Sequence, residues 1–337
     1  MSGTAIQWTD ATWNPVTGCS KVSAGCDNCY AQQLHNRRYR ATVSAALERV
    51  ERHHGETVAQ LIARARGQER AEGDSILPFR SRTYDEPFAV VRCHPERVVA
   101  MLGSRRWAGR RVFVNSMSDL FHERVPDEFL RLVFWAMAGR PEITFQVLTK
   151  RPRRMAEFVT GFLDRDWPMG PLPNVWLGTS VEDQQSADER MGALVDVPAV
   201  VRFLSIEPLL EEVELMPLFV SYDRATRGWE GTDAVHWVIV GGESGPKARP
   251  CDPGWIRLVR DQCRAAGVAV FVKQLGRRPC IGQVESAAGS GVFEPDLVKL
   301  RHPQGGNPAE WPEDLRVREF PVVRSSSELL RAWEAGR

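Results

Sequence analysis

Short apolar runs alternate with longer stretches of helical period along most of the chain. From residue 85 the rhythm is regular. "PFAVVRC" (87–93) predicts a first strand, with "PERVVAMLG" as the helix behind it. "RVFVNS" (111–116) predicts the next strand, followed by "PDEFLRLVFWAMAG", where Phe129, Leu132, Val133 and Met137 recur on one helical face. Pro126 opens that helix and Gly139 closes it. "TFQVLTK" (144–150), "NVWLGTSV" (174–181), "VVRFLSI" (200–206), "HWVIVGGES" (236–244) and "VAVFVKQLG" (268–276) continue the series. "RPRRMAEFVTGFL", "DQQSADERMGALV" and "PGWIRLVRDQCRAAG" are helices between them. The strand runs are apolar throughout, so both faces are expected to be buried, and strands joined by helices form a parallel sheet. Seven runs, with the N-terminal segment able to supply another, favour an α/β fold built as a full or partial (β/α) TIM-type barrel. A Rossmann sheet is disfavoured, since no G-x-G-x-x-G follows the first strand.

Polar residues gather just after these runs: "NSMSD", "TKR", "TSVED", "SIEP", "GGESG" and "KQ". In a parallel barrel such positions lie on the carboxyl-end rim, where sites are built. Loops are polar in any protein, but six in succession favour one polar site on that rim. Two regions break the rhythm. Residues 37–82 carry ten Arg against six Asp or Glu, and within them 41–78 reads as a helical insertion. A solvated helical excursion is the plainer account of it, and a lid or anion-facing patch the sharper one. Residues 209–235 show no long helix and predict a loop-rich connection. Residues 280–337 are expected to be an irregular C-terminal extension packed on the barrel, anchored by Trp311 and Phe320. All of this sits within one domain, 1–337.

Bulk composition adds exclusions. No apolar run approaches the roughly 20 residues of a membrane-spanning helix, and the N-terminus lacks a basic stretch followed by an apolar one. No membrane partner is expected. Seven cysteines, an odd count in 337 residues, do not make a disulfide framework and point to a reducing, cytoplasmic setting. A net charge of +1 gives no global reason to expect nucleic acid, although a local patch stays open.

The densest chemistry lies near the start. "GCSKVSAGCDNCYA" places Cys19, Cys26 and Cys29 in a C-x6-C-x2-C pattern. Gly18 and Gly25 each precede a cysteine and permit tight turns, and the third cysteine leads into a helix. A structural zinc site asks for four ligands, and only His35 stands near enough in sequence to complete one. Thiolates also hold iron–sulfur clusters. A four-iron cluster on three cysteines keeps one iron open for a ligand. Zinc and iron–sulfur both remain open on spacing alone.

"CDNCYA" resembles the cluster loop of the radical S-adenosylmethionine superfamily, and its "CYA" ending looks most like the spore photoproduct lyase branch. The usual first gap there is three residues, against six here. More closely, the chain resembles a family of bacterial and phage proteins, a domain of unknown function marked by its three cysteines. "IQWTDATWNPVTGCSKVSAGCDNCYA", "VFVNSMSDLFH", "VLTKRP", "WLGTSVED", "LSIEPLL", "WVIVGGESGP" and "WPEDLRVREFP" look like its blocks, over nearly the full length apart from 41–78.

The resemblance implies a 4Fe–4S cluster on Cys19, Cys26 and Cys29, with S-adenosyl-L-methionine on the open iron as source of a 5′-deoxyadenosyl radical. It also implies an electron donor that the sequence does not identify. A nucleic acid or nucleoside is a substrate by analogy with the lyase branch only. The cofactor needs polar partners, and the strand ends offer Lys150, Arg151, Ser180, Glu182, Glu207, Gly241, Gly242 and Glu243. Two other classes compete: a zinc module associated with nucleic acid through residues 37–82, and a phosphate-binding barrel hydrolase with structural cysteines.

Overall fold

The computed structural model describes residues 4–41, 87–223, 228–231, 234–281 and 296–322. The insertion at 41–78 therefore lies, except for residue 41, outside the described residues. The core is a seven-stranded parallel sheet in simple sequential order. Its strands are β1 (Ala11–Trp13), β2 (Arg111–Val114), β3 (Thr144–Thr149), β4 (Val175–Val181), β5 (Val201–Ile206), β6 (Trp237–Gly241) and β7 (Ala269–Gln274). Helices α1 (30–41), α2 (Pro95–Gly103), α3 (Asp127–Ala138), α4 (Pro152–Arg165), α5 (Gln184–Val195) and α6 (Pro253–Ala265) accompany it. The sheet curls into a half-barrel: among its seven described strands β1 pairs only with β2, and β7 only with β6. The closed form of the expected barrel is thus not formed by these strands.

One edge is protected in another way. Val317 and Glu319 hydrogen-bond antiparallel to β7, through Val272 N–H to Val317 O (2.9 Å) and Glu319 N–H to Val270 O (2.9 Å). Covering an edge in this manner blunts its tendency to pair with other chains. Trp311 is buried in one hydrophobic core and Phe320 packs against a second.

The run at 87–93 is a correction. Only Arg92–Cys93 is extended, and it pairs antiparallel with Val16–Thr17 outside the main sheet. The segment before it is needed elsewhere, since the Phe88 and Val90 carbonyls support the cysteine loop. The missing place in the sheet is taken by β1. In α3 the buried face is Phe129, Leu130, Val133, Phe134, Ala136 and Met137, while Leu132 is exposed. The connection after residue 209 holds a one-turn helix, Met216–Phe219, and a short hairpin, Val220–Asp223 with Gly228–Gly231.

Strand alternation sorts side chains into two cores. Val112, Val114, Val147, Leu177, Leu204, Val238, Val240, Val270 and Val272 face the helices. The concave face carries Phe113, Trp176, Val201, Phe203, Trp237, Ile239 and Phe271, joined by Trp8 from the N-terminus. Trp8 meets Phe113 at 4.7 Å and Trp237 at 6.1 Å between ring centroids. Gly178 makes room for this packing, because a Cβ there would sit 2.6 Å from the Phe203 ring. Toward the carboxyl ends the concave positions turn polar. Ser180 and Ser205 are register partners on β4 and β5, and Glu182 and Glu207 lie one pleat beyond them. Aromatic rings thus fill the bottom of the half-barrel and polar groups its top.

Candidate functional site

A cavity of about 260 Å³ opens at that polar end, floored by Ile6, Trp8, Phe113 and Leu148. The cysteine loop lies across it, and Cys19, Cys26 and Cys29 all line it. The loop leaves Val16–Thr17 through Gly18, whose φ of +83° and would-be Cβ, 1.9 Å from the Val90 carbonyl oxygen, admit only glycine. Cys19 N–H donates to Phe88 O (2.9 Å). A single 3-10 turn spans Ala24–Cys26, and Cys29 directly precedes α1.

The loop is tied to the ends of four strands or their exit segments. Tyr30 Oη donates to Ser116 O (2.6 Å) beyond β2. Arg151, after β3, donates to Ser20 Oγ (2.9 Å). Ser23 Oγ donates to Glu182 Oε2 (3.1 Å) after β4. Asn28 Nδ2 donates to Glu243 Oε2 (3.1 Å) after β6. Ser20 Oγ also meets His122 Nε2 at 2.8 Å. His122 Nδ1 accepts the Arg124 N–H (3.1 Å), which places the imidazole proton on Nε2 and makes His122 the donor to Ser20. Burial and the neighbouring Arg151 charge lower the His122 pKa and keep it neutral.

The thiols are not equivalent. Burial alone would raise Cys26, but the Lys150 ammonium and the backbone N–H groups of Val22 and Ser23 bring it below an ordinary thiol. Burial and the Asp119 carboxylate push Cys19 up to about 11. The loop therefore holds one acidic thiol beside a cation and one reluctant thiol beside an anion.

The strand-end residues are placed as follows. Lys150, Arg151, Ser180, Glu207, Gly242 and Glu243 line the cavity, whereas Glu182 and Gly241 do not. Glu182 is fully buried beneath the loop, accepting from Lys150, from Arg190 (3.0 Å) and from Ser23. Lys150 and Glu182 stand at the ends of adjacent strands and meet each other. Arg151 is held by Asp119 (2.9 Å) and Glu123 (3.0 Å). Glu243 chelates Arg249 at 2.8 and 3.0 Å; burial would raise its pKa, but the Arg249 and Asn28 hydrogen bonds hold it low. Gly241 and Gly242 are explained by packing. A Cβ on Gly241 would lie 3.0 Å from Glu207 Oε1, and one on Gly242 would lie 2.6 Å from Leu275 O.

Asp119 was not singled out in the sequence, yet it orders the site. It accepts from Thr149 Oγ1 (2.7 Å), the Lys150 N–H (3.2 Å) and Arg151, joining the "NSMSD" segment to the "TKR" segment. Lys273 and Asn115 were also missed, although both fall in strand-end clusters. Asn115 is buried with φ +62°, a conformation asparagine tolerates better than most residues.

His35 is buried against Phe88, with ring centroids 5.3 Å apart, and does not line the cavity. Among the described residues, no three His, Cys, Asp or Glu side chains gather closely enough to hold a single metal ion. The four-ligand zinc site that His35 would complete is therefore not assembled. No helix of the described residues is long and apolar enough to cross a membrane.

A search of curated proteins found no match. A search of solved structures likewise found none. A family profile described as a protein of unknown function, DUF5131, matches residues 3–291. That span takes in the cysteine loop, all seven sheet strands and every cavity-lining residue, and the chain belongs to the DUF5131 family.

Proposed function

We propose that this protein is a radical S-adenosylmethionine-type enzyme whose iron–sulfur cluster is carried by Cys19, Cys26 and Cys29. The observation that supports the reading most is a juxtaposition. Three of the seven cysteines sit on one loop and line one cavity, above the carboxyl ends of a parallel half-barrel. The donor set fits the group chemically. A cluster bonds each thiolate to a different iron, so it asks for a wider triangle than a single ion would. The lack of a compact single-ion site is compatible with that demand, and no fourth cysteine lines the cavity to close the open iron.

When bound, the cluster would supply one electron to a sulfonium cofactor on its open iron. The chain's own residues have clear tasks beside it. Lys150 favours the thiolate form of Cys26. Arg190 adds a second cation to the buried Glu182, leaving one positive charge in excess beneath the loop. That excess offsets part of the negative charge of three thiolates. Lys150 and Ser180 present polar groups to the cavity, while Trp8, Phe113 and Leu148 exclude water from its floor. Partial dryness strengthens every electrostatic contact above it.

The test is anaerobic iron and sulfide reconstitution of the wild type and of Cys26→Ala. A brown wild-type protein with about four irons per chain, and a colourless, still folded variant, are the expected results. A colourless wild type holding one zinc would overturn the reading.

A further inference from the structure

Among the described residues, Lys150, Arg151, Glu243 and Lys273 each bring an ion pair to the cavity wall, and the first three secure the cysteine loop. Lys150–Glu182 holds Ser23, Arg151–Asp119 holds Ser20, and Arg249–Glu243 holds Asn28. The fourth, Lys273–Glu207, has no hydrogen bond to the loop among those described. Its Nζ lies 3.1 Å from Oε1 and 3.2 Å from Oε2, and Oε2 accepts from both Lys273 and Ser205 Oγ (3.4 Å). Oε1 is buried and accepts none, so a ligand N–H is offered the Oε2 side of the carboxylate.

The pair is also costly to build. Glu207 follows β5 and Lys273 lies on β7, with β6 between them. Their side chains span the intervening strand over Gly241, where a Cβ would come to 3.0 Å from Glu207 Oε1. Any other residue at 241 would crowd the carboxylate. Both side chains stay partly open, at 22% exposure for Lys273 and 13% for Glu207, and both line the cavity. Buried ion pairs are weak sources of stability, so a pair assembled across a strand and left facing a cavity points to recognition.

We propose that Glu207 and Lys273 form a ligand subsite for a neutral planar group with a hydrogen-bond donor and acceptor side by side, such as a lactam or amide edge. The carboxylate accepts the ligand N–H, and the ammonium donates one of its spare hydrogens to the ligand carbonyl. Neutrality follows from the wall: each charge lining the cavity has an opposite partner, and the excess positive charge lies beneath the cysteines. A charged ligand would leave one member of the pair uncompensated. Planarity follows from the aromatic surfaces of Trp8, Phe113 and Tyr30 in the same cavity. The subsite uses none of the cysteines, so it stands or falls separately from the iron–sulfur reading.

The test uses metal-free protein and the probe 2-pyridone, followed by saturation-transfer NMR and titration. 2-Pyridone is expected to bind, and N-methyl-2-pyridone, which lacks the donor, to bind about ten- to a hundredfold more weakly. This comparison needs no mutation. Lys273→Met and Glu207→Leu should each weaken 2-pyridone by a similar factor, and benzoate or glycine should not displace it. Equal binding of the two pyridones, displacement by benzoate or glycine, or undiminished binding to a folded Lys273→Met variant would overturn the proposal.

Discussion

Gly25→Ala is the substitution whose effect is most directly set by the geometry. A Cβ at residue 25 would lie 2.3 Å from Glu182 Cγ and 2.7 Å from both Cδ and Oε1. Glu182 has no room to move: it is fully buried, with Lys150 on one oxygen and Arg190 and Ser23 on the other. Two responses are available. Displacing the carboxylate breaks a buried ion pair, which costs about 3–5 kcal/mol. Lifting the loop forfeits the Ser23 hydrogen bond to a charged group, which costs about 1.5–3 kcal/mol. The cheaper response wins, so the loop lifts while the half-barrel stays folded. Urea unfolding should show a loss of no more than about 3 kcal/mol. Limited trypsin cleavage at Lys21, exposed in the loop, should accelerate, and reconstituted iron should fall well below the wild-type content. Adding Glu182→Asp, which shortens the obstructing side chain, should recover part of the loss. A Gly25→Ala protein with wild-type cleavage and iron content would refute the claim that Glu182 is the seat of the loop.

The thiols offer a second check: at neutral pH iodoacetamide should label Cys26 before Cys19, by mass mapping of metal-free protein, and Lys150→Met should narrow the difference. Glu243 is held below its ordinary value of 4.5, so its contribution to stability is present above that value and is lost as pH falls through the lower folded one. The melting-temperature gap between wild type and Glu243→Gln should therefore be constant near neutrality and shrink in acid; a gap that widens in acid would contradict the sign. Trp8→Ala should cost about 3–5 kcal/mol in urea unfolding, since Trp8 is a large buried side chain in ring contact with Phe113, Phe203 and Trp237. A change below about 1 kcal/mol, close to the size of a surface effect, would mean that the floor is not packed by it.

Much of the fold was legible in the chain because parallel strands buried on both faces read as continuous apolar runs. The runs at 111, 144, 174, 200, 236 and 268 became β2 to β7 with ends shifted by at most three residues. The run at 87 misled because its apolar residues support a loop, and support for a loop leaves no periodicity. β1 could be foreseen only as a strand for the N-terminal segment to supply, without bounds, because three residues are too few to show a period. The rim was legible as a succession of polar strand ends, and six of the eight residues chosen there line the cavity. Which of them face a ligand was not legible, because pairing between strand ends depends on register. Lys150 and Glu182 are charged and adjacent in space, so they satisfy each other. Asp119 was hidden for the same reason, its value lying in three contacts 30 or more residues away and a fourth two residues on. Gly25 is the reverse case: its need for a tight approach could be suspected from its place before Cys26, but only Glu182 explains it.

The most direct test of the central claim is the electron paramagnetic resonance spectrum of reconstituted, reduced protein before and after addition of S-adenosyl-L-methionine. The expected outcome is a reduced-cluster signal that changes shape when the cofactor occupies the open iron, and that is absent from Cys26→Ala. A cluster signal indifferent to the cofactor, or no cluster signal from a folded wild-type protein, would contradict it.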